Sequence, residues 1–493
     1  MVLAAWVATM ATLVHRSYIQ ASAGNLAADL ASYGSAAQWR GVYYRGEKLG
    51  FTVSQTVPTD EGYELQEDAR LQMSLLGATT PAAIRTRARV DRTFALRSFD
   101  FSLDPGTGPI TVAGTLDGVT LTLTITSAGA TRTETRTLAE PPALMLSLAR
   151  RLASEGLAEG RRHHWTLFDP ATLRNAPVEV AVRGRELVRV NDRPLPAFRV
   201  DLSFGGLETT AWVTDTGEVV REESPLGLLT VVESSDRAVA LAVPRDVQVD
   251  LLAASAVVPV MKGRIEDPRD VRRLVLRLEG ADLSSPDLQG VGQRVDGDTV
   301  ELTDARDLSP APAPPDLARY LAPEPLIESD APEIRAEAAR ALDGITDRRE
   351  QVERLTRHVN GLLEKKPTVS LPSALEVLRT RVGDCNEHTA LYVAMARAAG
   401  IPSRIAVGLA AVRNAFYYHA WPEVYIDEGN GRGLWLPVDP TFNQYPADAT
   451  HLRLARGGLD QQVAILPLIG RLKMTVLDLE LAPGAAPVLV GRP

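Results

Sequence analysis

From residue 36 to residue 245, apolar and polar positions alternate one by one over long stretches. Val119, Leu121, Leu123 and Ile125 interleave with Thr120, Thr122, Thr124 and Thr126, the period-two pattern of a strand buried on one face. Val178-Glu179-Val180-Ala181-Val182 repeats it, and Asp117-Gly118 and Gly205-Gly206 supply turns. One helix interrupts the region at 142–156, opened by Pro142 and ended near Gly156. Many strands around one helix predict a long antiparallel sheet, curved or sandwich-like. A smaller β unit follows at 246–308, with strands at Arg273–Leu278 and Thr299–Leu302. The run Ser309-Pro310-Ala311-Pro312-Ala313-Pro314-Pro315 reads as a stiff, extended linker.

Past that linker the period changes. Val352, Leu355, Val359 and Leu362 recur at three- and four-residue steps, the stripe of an amphipathic helix. Residues 385–399 read as a second helix, ended by Gly400 and Pro402. Strands are predicted at 404–412, 416–426 and Leu434–Val438, with the turn of the last pair at 428–433. A tail at 457–493 packs on the core and carries an edge strand, Met474–Leu479. The expected fold is multidomain: mainly antiparallel β at the N-terminal side, then an α+β domain at 316–456.

Composition narrows the function. A chain of 493 residues has room for two to four domains. Net charge is −9, and no basic stripe interrupts it, which argues against a nucleic-acid partner. The single cysteine excludes an intramolecular disulfide framework and a cysteine-based zinc site. Residues 2–14 are apolar and uncharged, but shorter than the about 17–25 residues of a span. Residues 1–28 therefore read as a signal segment, with Ala21-Ser22-Ala23 as a cleavage site, or as a membrane anchor. The expectation is a cell-envelope protein, held at the inner membrane with an extracytoplasmic body.

The one cysteine, Cys385, lies in Gly383-Asp384-Cys385-Asn386-Glu387-His388. Asp384 and Glu387 have capping-box spacing, which puts Cys385 at the first position of a helix. Open N–H groups and the helix dipole there favour an anion, so the thiol is expected to have a lowered pKa. His419 follows in Tyr418-His419-Ala420-Trp421, and Asp439 in Pro437-Val438-Asp439-Pro440-Thr441. Folding the chain about Asn430–Gly431 brings His419 close to the level of Asp439. Cys385, His419 and Asp439 thus supply a nucleophile, a base and a group that orients the base. His388, one turn into the helix, reads as a supporting group. Asp215-Thr216-Gly217 matches the aspartic-protease triplet but sits where a hairpin turn is expected. His163 and His164 are adjacent on a strand and so point to opposite faces.

The stretches GDCNEHTALYVAMARAAGIPSR, FYYHAWPEVYI and LWLPVDPTF resemble the bacterial transglutaminase-like superfamily, a relative of papain-type cysteine proteases. ADATHLRL, Ala447 to Leu454, resembles the stretch after the aspartate in bacterial members. The resemblance covers roughly 316–456. It implies an α+β fold with the nucleophile at Cys385, the general base at His419 and the orienting acid at Asp439. It also implies acyl transfer on a protein or peptide substrate without a cofactor. Asn386 stands where the animal cross-linking enzymes carry a tryptophan. A cell-envelope binding or assembly module on the same fold is the alternative expectation.

Overall fold

The computed structural model describes residues 33–75, 78–105, 108–191, 193–224, 227–240, 256–284, 286–366, 373–458, 461 and 463–485. The apolar segment 2–14 lies outside them. Among the described residues no helix is long and apolar enough to cross a membrane.

Fourteen strands form one antiparallel sheet. The first eight make a meander from Gln38–Tyr44 to Ala130–Thr137, and the next six a second one from Arg162–Asp169 to Leu228–Val232. The two meanders join where Gln38–Tyr44 pairs with Leu228–Val232, Arg40 opposite Val232. That leaves Ala130–Thr137 and Arg162–Asp169 as the free edges. The helix Met145–Ser154 follows the first edge and precedes the second. It is shorter than the expected 142–156, because its Pro-Pro approach continues in extended form and Ala143 bridges Leu167. Leu144, Leu148 and Leu152 seat it against sheet residues such as Phe168, Val180 and Val200. The alternation around Leu121, Leu123 and Ile125 is observed as expected, with those three buried.

The C-terminal region holds a five-stranded antiparallel sheet. Its order is Ala311–Pro312, Arg432–Pro437, Ala415–Gly429, Ser403–Val412, Leu452–Arg456. Ala311 and Pro312 pair with Gly433 and Arg432, so the Pro-rich run forms the edge of this sheet instead of a free spacer. Proline suits that place because an edge strand has one side without hydrogen bonds to make. Four helices, Pro332–Ala341, Arg348–Leu362, Ala374–Thr380 and Cys385–Ala398, share one apolar core with the sheet. The last is buried almost along its whole length.

The small β unit and the tail are not separate. Lys473–Leu481 pairs with Val271–Glu279 as the edge of one four-stranded sheet. This sheet is fastened to the five-stranded one: Val257 exchanges backbone hydrogen bonds with Phe416, and the Gln293 amide binds both the N–H and the carbonyl of Arg453. Leu326 joins the apolar cluster of the large sheet, alongside Leu65, Phe99 and Phe168.

Candidate active site

Cys385 is the first residue of its helix because Asp384 caps it. The Asp384 carboxylate accepts from the Asn386 N–H at 3.0 Å, and the Glu387 carboxylate accepts from the Asp384 N–H at 2.9 Å. Gly383 makes this closeness possible, since a Cβ there would fall 2.2 Å from that of Glu387. The cap thus takes up backbone N–H groups on both sides of Cys385, those of Asp384 and Asn386.

The thiol differs from expectation. Burial pushes its pKa up, the charges of Asp384, Glu387 and Asp439 push it further, and only the Ala420 N–H opposes them. Burial is the largest of these effects, and the charge of the capping Asp384 adds to it, so the surroundings of the thiol oppose the lowering expected at a helix start.

His419, the expected base, lies on the strand Ala415–Gly429, directly before Ala420, whose backbone N–H is directed at the thiol. The strand pairs with Arg432–Pro437, Glu423 opposite Pro437, and the pairing carries on to Val438 N–H on the Pro422 carbonyl. This register brings Asp439 beside His419. His419 Nε2 lies 2.8 Å from Asp439 Oδ2, and both side chains are buried. The imidazole stacks on Phe442, with centroids 4.6 Å apart and planes 7° apart, and lies over Trp421. With Nε2 committed to the carboxylate, Nδ1 is the nitrogen left for the thiol.

Asp439 is fixed from several sides. Its Oδ1 accepts from the N–H groups of Thr441, at 2.7 Å, and Phe442, at 3.0 Å. Its backbone pairs with that of Gln444 in both directions. Asn360, on the helix Arg348–Leu362, donates to the carbonyls of Pro440 and Thr441. Burial disfavours the charge, but His419 and His451 hold the carboxyl well below its usual range.

His451 and Asp448 are the site residues to which the sequence pattern assigns no role. His451 Nε2 lies 3.1 Å from Asp439 Oδ2, the oxygen that also meets His419. Its Nδ1 faces the Asp448 carbonyl at 3.1 Å and Asp448 Oδ1 at 3.3 Å. Burial works against protonation, but Asp448 and Asp439 raise the His451 pKa to about 10. The run Asp448-Ala449-Thr450-His451 carries a local signal: an Asp two residues before a Thr favours an Asx turn. The turn forms, with Thr450 N–H and hydroxyl both on Asp448 Oδ1.

The ligand atoms of His419, Asp439 and His451 lie within 4.8 Å of one another. Asp448 on the far side favours the protonated form of His451, which disfavours metal ligation by that ring. His388 is fully buried, its Nδ1 2.6 Å from the Asp384 carbonyl, and burial lowers its pKa. It supports the start of the helix. Asp215 is exposed in the Thr214–Gly217 turn and pairs with Arg185. His163 pairs with Glu155 and packs on Trp165, while His164 is exposed. Neither belongs to the site.

Residues 336–440 match the family model described as the transglutaminase-like superfamily. Among curated proteins, none matches the chain. Among solved structures, a β-barrel-like protein with a domain of unknown function from Brucella abortus is 12% identical, with a TM-score of 0.33 over 40% of this chain and 96% of that one. A candidate cysteine protease from Cytophaga hutchinsonii is 17% identical, with a TM-score of 0.28 over 48% of this chain and 87% of that one. A candidate protease from Parabacteroides distasonis is 12% identical, with a TM-score of 0.20, covering 71% and 68%. The cysteine at its helix start and the strand His–Asp pair all fall inside the residues that match the transglutaminase-like superfamily model.

Proposed function

We propose that the chain is a thiol acyl-transfer enzyme acting on amide or peptide bonds. Cys385 Sγ attacks the carbonyl carbon while His419 takes the thiol proton, and the Cys385 N–H meets the oxyanion. His419 returns that proton to the departing amine, the C–N bond breaks, and the acyl group remains on sulfur as a thioester. Water or a second amine then attacks the thioester with His419 again as base. Asp439 orients the ring and stabilises the imidazolium. The observation that carries this reading is the 2.8 Å His419–Asp439 bond on the strand whose next amide reaches Cys385. A protein or peptide is the proposed substrate, and the N-terminal segment is the proposed membrane attachment.

One observation favours the alternative of a binding module on a retired catalytic fold: the carboxylates around the thiol oppose its ionisation. Trapping separates the two. A peptide carrying a thiol-reactive ketone at its cleavable position is incubated with the protein, and intact mass is followed. Stoichiometric labelling lost in both Cys385→Ala and His419→Ala supports acyl transfer. A folded wild-type protein that takes no label from a varied peptide set supports the binding module.

A further inference from the structure

Behind the catalytic pair runs a buried chain of alternating groups: His419, Asp439, His451, Asp448. Both ring nitrogens of His451 face oxygens. Asp448 cannot supply the missing proton, because Oδ1 already accepts from Thr450 and Oδ2 from the Gln444 amide at 2.7 Å. Asp439 cannot supply it either, with two backbone amides on Oδ1 and two imidazoles on Oδ2. A neutral imidazole has one N–H and would set a lone pair against one of these oxygens. Only the doubly protonated ring satisfies both sides.

Resting on the acyl-transfer reading, we propose that His451, braced by Asp448, is a positioning residue that holds a permanent positive charge against the catalytic carboxylate. It thereby sets the pH at which the Cys385–His419 pair becomes reactive. The charge acts from close by, since the two imidazole centroids are 5.8 Å apart. It offsets part of the Asp439 charge, which itself opposes ionisation of the Cys385 thiol, so the thiol ionises at lower pH than it would beside Asp439 alone.

The other charged groups nearby are otherwise engaged. Glu423 and Arg453 line the same small cavity as His451 and Asp448, and pair with each other at 3.2 Å. Arg306, whose charge reaches Asp448, is bound to Asp304. Trp421 and Phe442 flank the ring without charge. Cys385 and His388 lie on the far side of Asp439, within reach of its charge.

The test is the pH profile of alkylation of the single thiol by iodoacetamide, in the full chain. Wild type, His451→Gln and His419→Ala are compared, with folding checked by circular dichroism. Glutamine keeps a donor toward Asp439 and removes the charge. The expected result is a midpoint moved to higher pH by about one unit in His451→Gln, the scale of one charge at this distance in a partly screened interior. An unmoved midpoint, or one moved to lower pH, overturns the proposal. If His419→Ala leaves the wild-type profile unchanged, it is the acyl-transfer reading that fails instead. Histidine side-chain 15N spectra of the wild-type protein give an answer that needs no folded variant. His451 doubly protonated at pH 8 supports the proposal, and a neutral tautomer at pH 7 overturns it.

Discussion

The large sheet and the C-terminal region that holds the candidate site differ in how they place charge. On the sheet, ion pairs such as Arg162–Glu179 and Arg183–Asp201 lie at its surface, with both partners in contact with water. In the catalytic region, Asp439, Glu423 and Arg453 are almost wholly buried. Burying an ion is costly unless its partners are close and its hydrogen bonds complete. The sheet buries only a few charges, Arg40, Asp68 and Glu233, paired with Glu67, Arg85 and Lys48, and most of its core is its alternating apolar faces. The catalytic region keeps them where they fix a geometry: Glu423 ties Arg404, Arg453 and Arg456 together, and Asp439 holds two imidazoles.

The largest effect is expected where a buried pair is broken. Glu423→Gln leaves three arginines short of their carboxylate and should lower unfolding stability by about 3–5 kcal/mol, read by denaturant titration. A loss below about 1 kcal/mol would erase the distinction between the two regions. Gly383→Ala comes next. Its Cβ would collide with Glu387, so the capping box must open, at about 1–3 kcal/mol by overpacking. Thiol alkylation should slow along with it, whereas Gly118→Ala, in an open turn of the large sheet, should leave alkylation unchanged.

A pH dependence is also expected from the groups behind the candidate site. His451 has its pKa raised to about 10 when folded, against about 6.5 unfolded. Its contribution is fully present below about pH 6.5 and is lost as pH rises toward about 10. Asp448 has its pKa lowered to about 2, so its contribution is present above about pH 4 and is lost as pH falls toward 2. Stability should therefore fall on both sides of neutrality, and His451→Gln should flatten the alkaline side. An equal alkaline slope in that variant would show that the loss arises elsewhere. The smallest effect is expected at Arg162→Ala, within about 0.5 kcal/mol, since both partners are solvated. A larger loss would mean that the edge strand depends on that pair.

The legible parts of the sequence are those written in local chemistry. Alternation announces the half-buried strand Thr120–Ser127, though Val119 falls in the exposed turn before it, and Asp384 with Glu387 announces the helix start that positions Cys385. The Asn430–Gly431 turn sets the register that brings Asp439 to His419. The parts that escape depend on distant pairing. The Pro-rich run reads as a spacer because its partners, Gly433 and Arg432, lie about 120 residues away. The edge strand expected at Met474–Leu479 forms as Lys473–Leu481, but its partner, Val271–Glu279, is not legible because it lies about 200 residues earlier. The thiol departs from its local pattern for a different reason. The helix start is visible in sequence, but the summed charge of Asp384, Glu387 and Asp439 acts only once all three surround the sulfur. Likewise His451 gains its role only when its loop folds back onto Asp439.

The central claim is that Cys385 and His419 work as one unit. Its most direct test is the alkylation rate of the only thiol at neutral pH, in wild type and in folded His419→Ala. Loss of a positioned base should slow the reaction about 100-fold, the lower end of general-base contributions. Equal rates in the two proteins would contradict the account and leave Cys385 as a buried thiol with no catalytic partner.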